Sequence, residues 1–453
     1  MKRVLILTLL FAFSLSLSAQ DNRPRSVEEV KKDVNYDESK VGPYTLEDPL
    51  TFVDGRKVTN ASDWAERRKE ILDLFQKEMY GQLPPKSEIY LETVEEGVTL
   101  GGYAKRKQVR MWFRPDRTGP KIDWLILLPA AAKGPVPTVL MLNYYGNHTI
   151  LADKEILIPT GWLKDNDVYK VEDNLASEKG RGVYLDPNQR TVYPVGMILA
   201  RGYGFVTASY ADLSPDPDRD FSVDYNNQDQ VCYSGIFDLW GKRDPTRTDN
   251  TTALMAWGWA LMRGMDMIER DPAFNASQVL LTGSSRLGKA ALIAGAFDER
   301  FPVVVPNETG GGGVPLAKRN FGENITTMTQ QFTHWYCRAY DKYAGHEDQM
   351  PFDQHLFISC VAPRALLVEG FDEQWFDTKG EFLSLQAASP VWEMLGRGGL
   401  PKVSWPDDYD TSAIGDHLGY VRRDQLHGIS AQDWTWMLDF ADLNFKRTDS
   451  IGR

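Results

Sequence analysis

Short apolar runs, separated by polar and helical stretches, recur through the middle of this chain. They are rich in β-branched and long aliphatic residues, which is typical of strands buried on both faces of a sheet. The runs lie at residues 124–129, 138–143, 204–210, 302–306 and 365–369. Because helical patterns separate the later runs, we predict a mostly parallel sheet with helices on both faces.

Other segments show different periodicities. Residues 88–114 alternate apolar and polar positions, which predicts antiparallel strands. Residues 62–81 carry apolar side chains at helical spacing, after Asn60 or Ser62 as a cap and before Gly81 as a stop signal. The periodic positions are Trp64, Ile71, Leu72, Phe75 and Met79. Helices are also predicted at residues 251–270 and 431–445.

The stretch from residue 278 to 296 reads as strand, sharp turn and helix. Its apolar run stops at Gly283, Ser285 follows, and small and aliphatic residues begin at Arg286. A serine at such a turn has a strained backbone and an exposed hydroxyl, and Gly283 and Gly288 let strand and helix approach closely. This arrangement presents the nucleophile of α/β-hydrolases, so we predict that fold, as three layers.

The motif departs from the usual G-x-S-x-G, because Leu287 occupies the place of the second glycine. A glycine-rich strand-to-helix turn with a capping serine is therefore an alternative interpretation. The choice depends on whether a base and an acid accompany Ser285.

The composition describes a globular protein of 453 residues, with 42% hydrophobic and 25% charged residues. The net charge of -12 argues against nucleic acid as a partner, because phosphates require a basic surface. Residues 1–19 combine Lys2 and Arg3, an apolar stretch and a small-residue end at Ala19, the pattern of a secretory signal peptide. We expect a periplasmic or secreted protein without a membrane span after cleavage of that signal.

The chain has only three cysteines, Cys232, Cys337 and Cys360. This small, odd number argues against a disulfide framework. Cys337 and Cys360 have apolar or aromatic neighbours, which predicts small buried thiols. Beyond the signal peptide, we expect an N-terminal extension at residues 20–100 that packs on a catalytic domain at residues 101–447. Residues 144–195 form an insertion, rich in Asn, Asp, Gly and Lys, near the active face.

A nucleophilic serine needs a base and an acid, which follow it in the order Ser, acid, His in this fold. His427 precedes the C-terminal helix, where the base belongs, and His417 is its nearest rival. Glu308 directly follows the 302–306 strand, and Glu373 lies just beyond the 365–369 strand. Either carboxylate is a candidate acid, since catalytic residues gather at the carboxyl ends of parallel strands.

Two cations accompany the nucleophile. Arg286 adjoins Ser285 and could stabilise the oxyanion of a tetrahedral intermediate. Lys289 follows Ser285 by one helical turn. Cations are unfavourable in the first turn of a helix. The presence of Arg286 and Lys289 there therefore needs an explanation, and binding of an oxygen-rich substrate is one.

Five separated segments of the chain together resemble carbohydrate esterase family 15, the glucuronoyl esterases, especially the bacterial members. They read GSSRLGKAALIAGAFDERF, PNETGGGG, FGENI, MPFDQHLFISCVAPRALLVE and QWFDTKGEF, and the resemblance covers roughly residues 45–445. It implies metal-free hydrolysis, with no cofactor, of esters between lignin alcohols and the 4-O-methyl-glucuronic acid side chains of xylan. The implied partner is glucuronoxylan or a lignin–carbohydrate ester.

The resemblance also implies roles for individual residues. Ser285 becomes the nucleophile, Arg286 the oxyanion cation and Lys289 a ligand of sugar hydroxyls. Glu323 and Trp375 complete the uronate pocket. Glu308 matches the acid position of fungal members and is favoured here, whereas Glu373 matches an alternative acid position of bacterial members.

The chain departs from the family pattern around the histidine. Fungal members have a disulfide that links the position of Ser284 to a cysteine beside the catalytic histidine, and Ser284 and Gly428 remove it here. Gln425 and Leu426 also replace two glycines before His427. Two other functions stay open: an acetyl or aryl carbohydrate esterase, and an inactive carbohydrate-binding relative.

Overall fold

The computed structural model describes the backbone of residues 27–217 and 231–451; the predicted signal peptide lies outside this range. The strands are β1 (Tyr90–Thr99), β2 (Ala104–Trp112), β3 (Lys121–Pro129), β4 (Val136–Asn143), β5 (Gly204–Ser209), β6 (Phe274–Ser284), β7 (Val303–Asn307), β8 (Ala365–Phe371) and β9 (Leu418–Arg423). The α-helices are α1 (Val27–Val30), α2 (Ala61–Phe75), α3 (Val195–Ala200), α4 (Ala253–Arg270), α5 (Arg286–Phe297), α6 (Ile325–Gln331), α7 (Gln354–Ser359), α8 (Thr378–Met394) and α9 (Ala431–Ile451).

All nine strands form one sheet, in the order β1-β2-β3-β5-β4-β6-β7-β8-β9. Neighbours from β5 to β9 are parallel, whereas β1, β2 and β3 pair in antiparallel fashion and β3 joins β5 in the same way. The prediction of a mostly parallel sheet in an α/β-hydrolase fold is confirmed. The sheet also extends across the expected boundary at residue 100, because β1 precedes that residue and pairs with β2, which follows it.

Both faces of the sheet are covered, which explains the continuous apolar runs. In β3, Trp124 and Ile126 belong to one core cluster, while Leu125 and Leu127 belong to the other. Alternate side chains of a strand point to opposite faces, so two cores require an apolar residue at every position. Helices α2, α4, α5, α7 and α8 contribute to the first cluster, and α3 and α9 to the second.

The predicted helix before the sheet has the expected start. The Asn60 side chain accepts hydrogen bonds from the backbone of Ser62 and Asp63. The α-helix ends at Phe75 and continues as a single wider π-helical turn to Tyr80. Gly81 then ends it with φ +76°, and a Cβ there would lie 2.0 Å from the Asn250 carbonyl oxygen, so no other residue fits.

All three cysteines are buried and none forms a disulfide, which confirms the prediction of buried thiols at Cys337 and Cys360. None of the helices in the described residues is long and apolar enough to span a bilayer. Within the same residues, no group of three or more His, Cys, Asp or Glu side chains is arranged to hold a metal ion.

Candidate active site

The turn between β6 and α5 holds Ser285 in a conformation that few residues adopt. Its φ is +56° and its ψ is -127°, and its backbone N–H donates to the Asn307 carbonyl at 2.9 Å. The two predicted glycines are both required. A Cβ on Gly283 would lie 2.3 Å from the Leu287 carbonyl oxygen, and one on Gly288 would lie 2.6 Å from that of Asn307. The strained backbone of Ser285 therefore results from the close approach of β6, the turn and the neighbouring strand β7.

Parallel strands carry the candidate triad to one edge of the sheet. Ser285 follows β6, Glu308 follows β7 and His427 follows β9, and all these strands end at the same edge. His417 immediately precedes β9 and therefore lies at the opposite edge. The parallel arrangement itself separates the two histidine candidates.

Glu308 is buried and surrounded by hydrogen-bond donors. Its Oε1 pairs with the guanidinium of Arg423, and its Oε2 accepts from the Gly428 N–H at 2.8 Å and the Ser284 hydroxyl at 3.3 Å. Its backbone is left-handed, with φ +52°. Burial raises the pKa of the carboxyl to about 8, although Arg423 opposes that rise.

The imidazole of His427 lies beside this carboxyl. Its Nε2 is 3.7 Å from Oε2 of Glu308, which is too long for a hydrogen bond. The ring stacks on Phe376, with centroids 4.9 Å apart and planes 17° apart. Burial and the nearby cations Arg286 and Arg423 lower the pKa of His427 to about 4, so the imidazole is neutral at ordinary pH.

Glu373 faces a different group. Its side chain is half-buried and pairs with Lys31 at 3.7 Å, and its backbone φ of -137° is extended. Of the two candidate acids, the structure brings Glu308 to His427 and leaves Glu373 with a cation of the N-terminal segment.

On the other side of Ser285, Arg286 is held by a buried carboxylate. Its Nη1 pairs with Oδ2 of Asp216, and its guanidinium lies over the ring of Trp335, 4.8 Å from the centroid. Both Asp216 and Arg286 line the cleft that also contains Ser285. A fixed cation next to the nucleophile can stabilise negative charge that develops on a substrate oxygen.

Lys289 and Glu323 form a buried pair next to that cation. Lys289 Nζ lies 3.6 Å from Oε2 of Glu323, and that oxygen has no hydrogen-bond partner among the described residues. Burial lowers the pKa of Lys289, while Glu323 opposes the shift. Gly310 leaves room for the glutamate, because a Cβ there would lie 2.7 Å from the same oxygen. Buried groups so placed can bind hydroxyls, which would supply the missing hydrogen bonds.

Trp375 lies close to this pair but under the N-terminal segment. Its carbonyl accepts from the Glu323 N–H at 2.8 Å, its ring is 6% exposed, and Lys31 Nζ lies 5.2 Å from the ring centroid. Val27 and Tyr36 pack against the same cluster. The segment before residue 40 therefore covers one side of the predicted sugar pocket.

The insertion supplies one wall of the cleft in front of Ser285, a cleft of about 610 Å³. Four tyrosines of the insertion line it, namely Tyr144, Tyr145, Tyr169 and Tyr184. Tyr145 and Tyr169 stack with centroids 3.7 Å apart, and Tyr169 meets Tyr184 at 5.1 Å. The insertion expected near the active face thus contributes directly to the cleft.

A carboxylate connects Ser284 with Gly428, the residue that follows His427. Oε2 of Glu308 accepts from both Ser284 and Gly428, so one oxygen bridges the elbow and the histidine loop. Arg423 adds bonds to the carbonyls of Leu426 at 3.2 Å and of Gly428. Hydrogen bonds therefore fix the loop here.

Sequence reasoning missed several residues of the site. The sequence patterns do not single out Asp216, Arg423, Tyr144 or His334. The Tyr144 hydroxyl donates to the Ser284 carbonyl at 2.6 Å, and Tyr144 follows β4 at the same sheet edge. For Tyr144, the sequence signal was its position directly after a predicted strand. Asp216 lies in a loop without such a signal.

Comparisons with known proteins agree with the fold and indicate the family. A family model described as glucuronyl esterase, fungi, matches residues 221–396. A relative named carbohydrate esterase MZ0003, from an unknown prokaryotic organism, is 38% identical over 90% of this chain and 91% of its own length. A 4-O-methyl-glucuronoyl methylesterase of Schizophyllum commune is 27% identical over 86% of this chain and 89% of its own length.

A solved structure gives the same result. A promiscuous CE15 esterase from a marine bacterial metagenome superposes with a TM-score of 0.81 and 37% identity, covering 91% of this chain and 100% of that one. Similarity at this level covers nearly the whole chain and shows the same fold.

Proposed function

Because this chain belongs to carbohydrate esterase family 15, the glucuronoyl esterases, we propose that it hydrolyses esters of 4-O-methyl-glucuronic acid on xylan. It is a carboxylic ester hydrolase. The observation that carries the proposal is the meeting of Ser285, His427 and Glu308 at one sheet edge, beside a buried Lys289–Glu323 pair.

In the proposed mechanism, Ser285 attacks the ester carbonyl and His427 takes its proton. A neutral base at ordinary pH supports this role. His427 then protonates the leaving alcohol, and water releases the acyl group by the same steps in reverse. In this proton transfer, Nδ1 of His427 must face Glu308 so that Nε2 can face Ser285. We therefore expect the imidazole to rotate by 180° about its Cβ–Cγ bond, which exchanges the two edges of the ring.

Glu308 stabilises the imidazolium that forms during proton transfer. Its buried position, its strained backbone and its distance from His427 support this assignment over Glu373. Arg286 stabilises the oxyanion together with backbone N–H groups of the elbow, and its place beside Ser285 supports that role.

The sugar pocket comprises Lys289, Glu323 and Trp375. Lys289 and Glu323 bind hydroxyls of the uronate ring, and Trp375 packs near the ring. The unpaired Oε2 of Glu323 supports this role, because a ligand hydroxyl would satisfy it. Recognition through buried polar groups favours a sugar acid over a plain acyl group, since those groups stay unpaired when the sugar is absent.

The substrate, glucuronoxylan or a lignin–carbohydrate ester, lies outside the cytoplasm. An exported enzyme, released or periplasmic, fits that substrate and the signal-like residues 1–19. Mass spectrometry of the protein recovered from the medium and the periplasm tests this, and an uncleaved chain in the cytoplasm would contradict it.

A panel of esters tests the proposed reaction. Methyl and benzyl esters of 4-O-methyl-glucuronate should be hydrolysed, and acetylated xylan should not. Preference for acetylated xylan or an aryl acetate would establish the alternative esterase. Binding of glucuronate without turnover would establish an inactive relative. Ser285→Ala is the matched control for contaminating activity.

A further inference from the structure

The cation beside the nucleophile is part of a larger buried network. Oδ1 of Asp216 accepts from the Nε2 of His334 at 2.7 Å and from the indole N–H of Trp335 at 2.8 Å, while Oδ2 pairs with Arg286. The side chains of Asp216, His334 and Trp335 are buried. Oδ1 of Asp216 therefore accepts two hydrogen bonds, and Oδ2 faces the guanidinium of Arg286.

We propose that Asp216, fixed by His334 and Trp335, is a positioning residue that holds Arg286 in the place where the oxyanion forms. The inference rests on the proposed function, because it assigns a partner to the oxyanion cation of that reaction.

Geometry is the first support. An arginine side chain has several rotatable bonds, and holding it in one rotamer costs conformational entropy. Asp216 binds one terminal nitrogen of Arg286, and the guanidinium carbon lies over the Trp335 ring. The same indole donates to Asp216, so Trp335 fixes both the carboxylate and the cation. An oxyanion donor held before substrate arrives does not have to reorganise during the reaction.

Charge balance is the second support. A lone carboxylate against Arg286 would cancel the charge that the oxyanion needs. Burial would lower the pKa of His334, but Cys232 and the Asp216 carboxylate raise it to about 9, which favours the protonated imidazole. With His334 protonated, two cations share one anion, and the group keeps a net positive charge beside Ser285.

The backbone ties the network to the fold. The carbonyl of His334 accepts from the Ala253 N–H at 2.9 Å, at the first residue of α4. Lys289 also lies over the Trp335 ring, 4.8 Å from its centroid. The same indole thus touches the cation of the oxyanion site and the cation of the sugar pocket.

A double-mutant cycle tests the proposal. The variants are Asp216→Asn, Arg286→Ala and the double substitution, with kcat and KM measured on a glucuronate methyl ester and on an aryl acetate. Asp216→Asn should lower kcat about tenfold or more with little change in KM, because positioning matters most in the transition state. In the Arg286→Ala background the same change should cost nothing further, since the group it positions is gone.

Matched variants separate positioning from general damage. Asp212→Asn makes the same change four residues earlier, at a carboxylate bonded to the backbone of Gly161 at 2.9 Å, and should leave kcat unchanged. His334→Gln retains an N–H donor and should keep more activity than His334→Leu. Circular dichroism and melting temperatures verify folding.

Each outcome has one meaning. If Asp216→Asn costs the same factor with and without Arg286, or Asp212→Asn matches its loss, the positioning role is wrong. Should Asp216→Asn not fold, the His334→Gln and His334→Leu pair decides, and equal kcat values would overturn the proposal. A wild-type enzyme active on the aryl acetate but not on the glucuronate ester would refute the proposed substrate while leaving the cycle measurable.

Discussion

The two sides of Ser285 differ in the ionisable side chains that they carry. On one side, the basic side chains of Arg286, Lys289 and His334 pair with the carboxylates of Asp216 and Glu323. On the other side, Arg423 is the cation that the structure pairs with two buried carboxyls, those of Glu308 and Asp433. Glu369 adds a third buried carboxyl, whose Oε2 accepts from Asn307 at 2.6 Å.

The difference matches the reaction that we propose. Ester hydrolysis creates an anion on the carbonyl oxygen and a cation on the imidazole in the same step. A cation-rich side stabilises the first, and an acid-rich side stabilises the second. Buried charges are expensive unless paired, so each side also carries enough opposite charge to remain buried.

The largest effect should come from the acid-rich side. Glu308→Gln removes the charge that stabilises the imidazolium, and we expect kcat to fall by roughly 10³ to 10⁴-fold. Glu373→Gln should stay within about threefold of wild type, because Glu373 pairs with Lys31 instead. Steady-state kinetics of both variants at one pH measure this.

The opposite ranking would move the acid role to Glu373. Comparable modest losses, with a severe loss in the double variant, would mean that the two residues share it.

Breaking the cation-rich side should cost less. Arg286→Ala removes one oxyanion donor while backbone donors remain, so we expect kcat to fall by roughly 10² to 10³-fold with little change in KM. Arg286→Lys keeps charge but loses the planar fork and serves as the matched control. Normal kcat with a raised KM in Arg286→Ala would show a binding role instead.

The pH profile sharpens the contrast. The pKa of Glu308 is raised to about 8, so the carboxyl gains a proton as the pH falls and can no longer stabilise the imidazolium. His427 stays neutral because its pKa is lowered to about 4. We expect kcat/KM to fall by about tenfold per pH unit from about pH 8 to about pH 6.

Glu308→Gln, which cannot ionise, should show a flat profile over that range. A wild-type profile without this acidic limb, or a limb that survives in Glu308→Gln, would contradict the assignment.

The smallest effect should be one of selectivity. Lys289→Met keeps much of the side-chain volume but removes the ammonium, so the ratio of glucuronate-ester to aryl-acetate activity should fall by about tenfold. Glu323→Gln should lower the same ratio. An unchanged ratio in Lys289→Met would exclude a role in sugar binding.

Much of the fold could be predicted because its signals are local. Apolar runs predicted β3, β4, β5, β7 and β8, and Asn60 and Gly81 bounded a helix region correctly. Strand β9, Leu418–Arg423, escaped notice because arginines at its end and the glycine within it interrupt the apolar pattern. Its side chains are nevertheless mostly buried, with Arg423 neutralised by carboxylates from other elements.

By itself, the sequence identified the candidate nucleophile, its turn and the candidate base, since Ser285 has a local motif and His427 lies shortly before the last helix. Only the tertiary structure decided which groups meet them. Asp216 and His334 are 118 positions apart, and Glu308 and Arg423 are 115 apart. Such pairs leave no periodic trace in the chain, because parallel strands joined by long crossovers bring together residues that are remote in sequence.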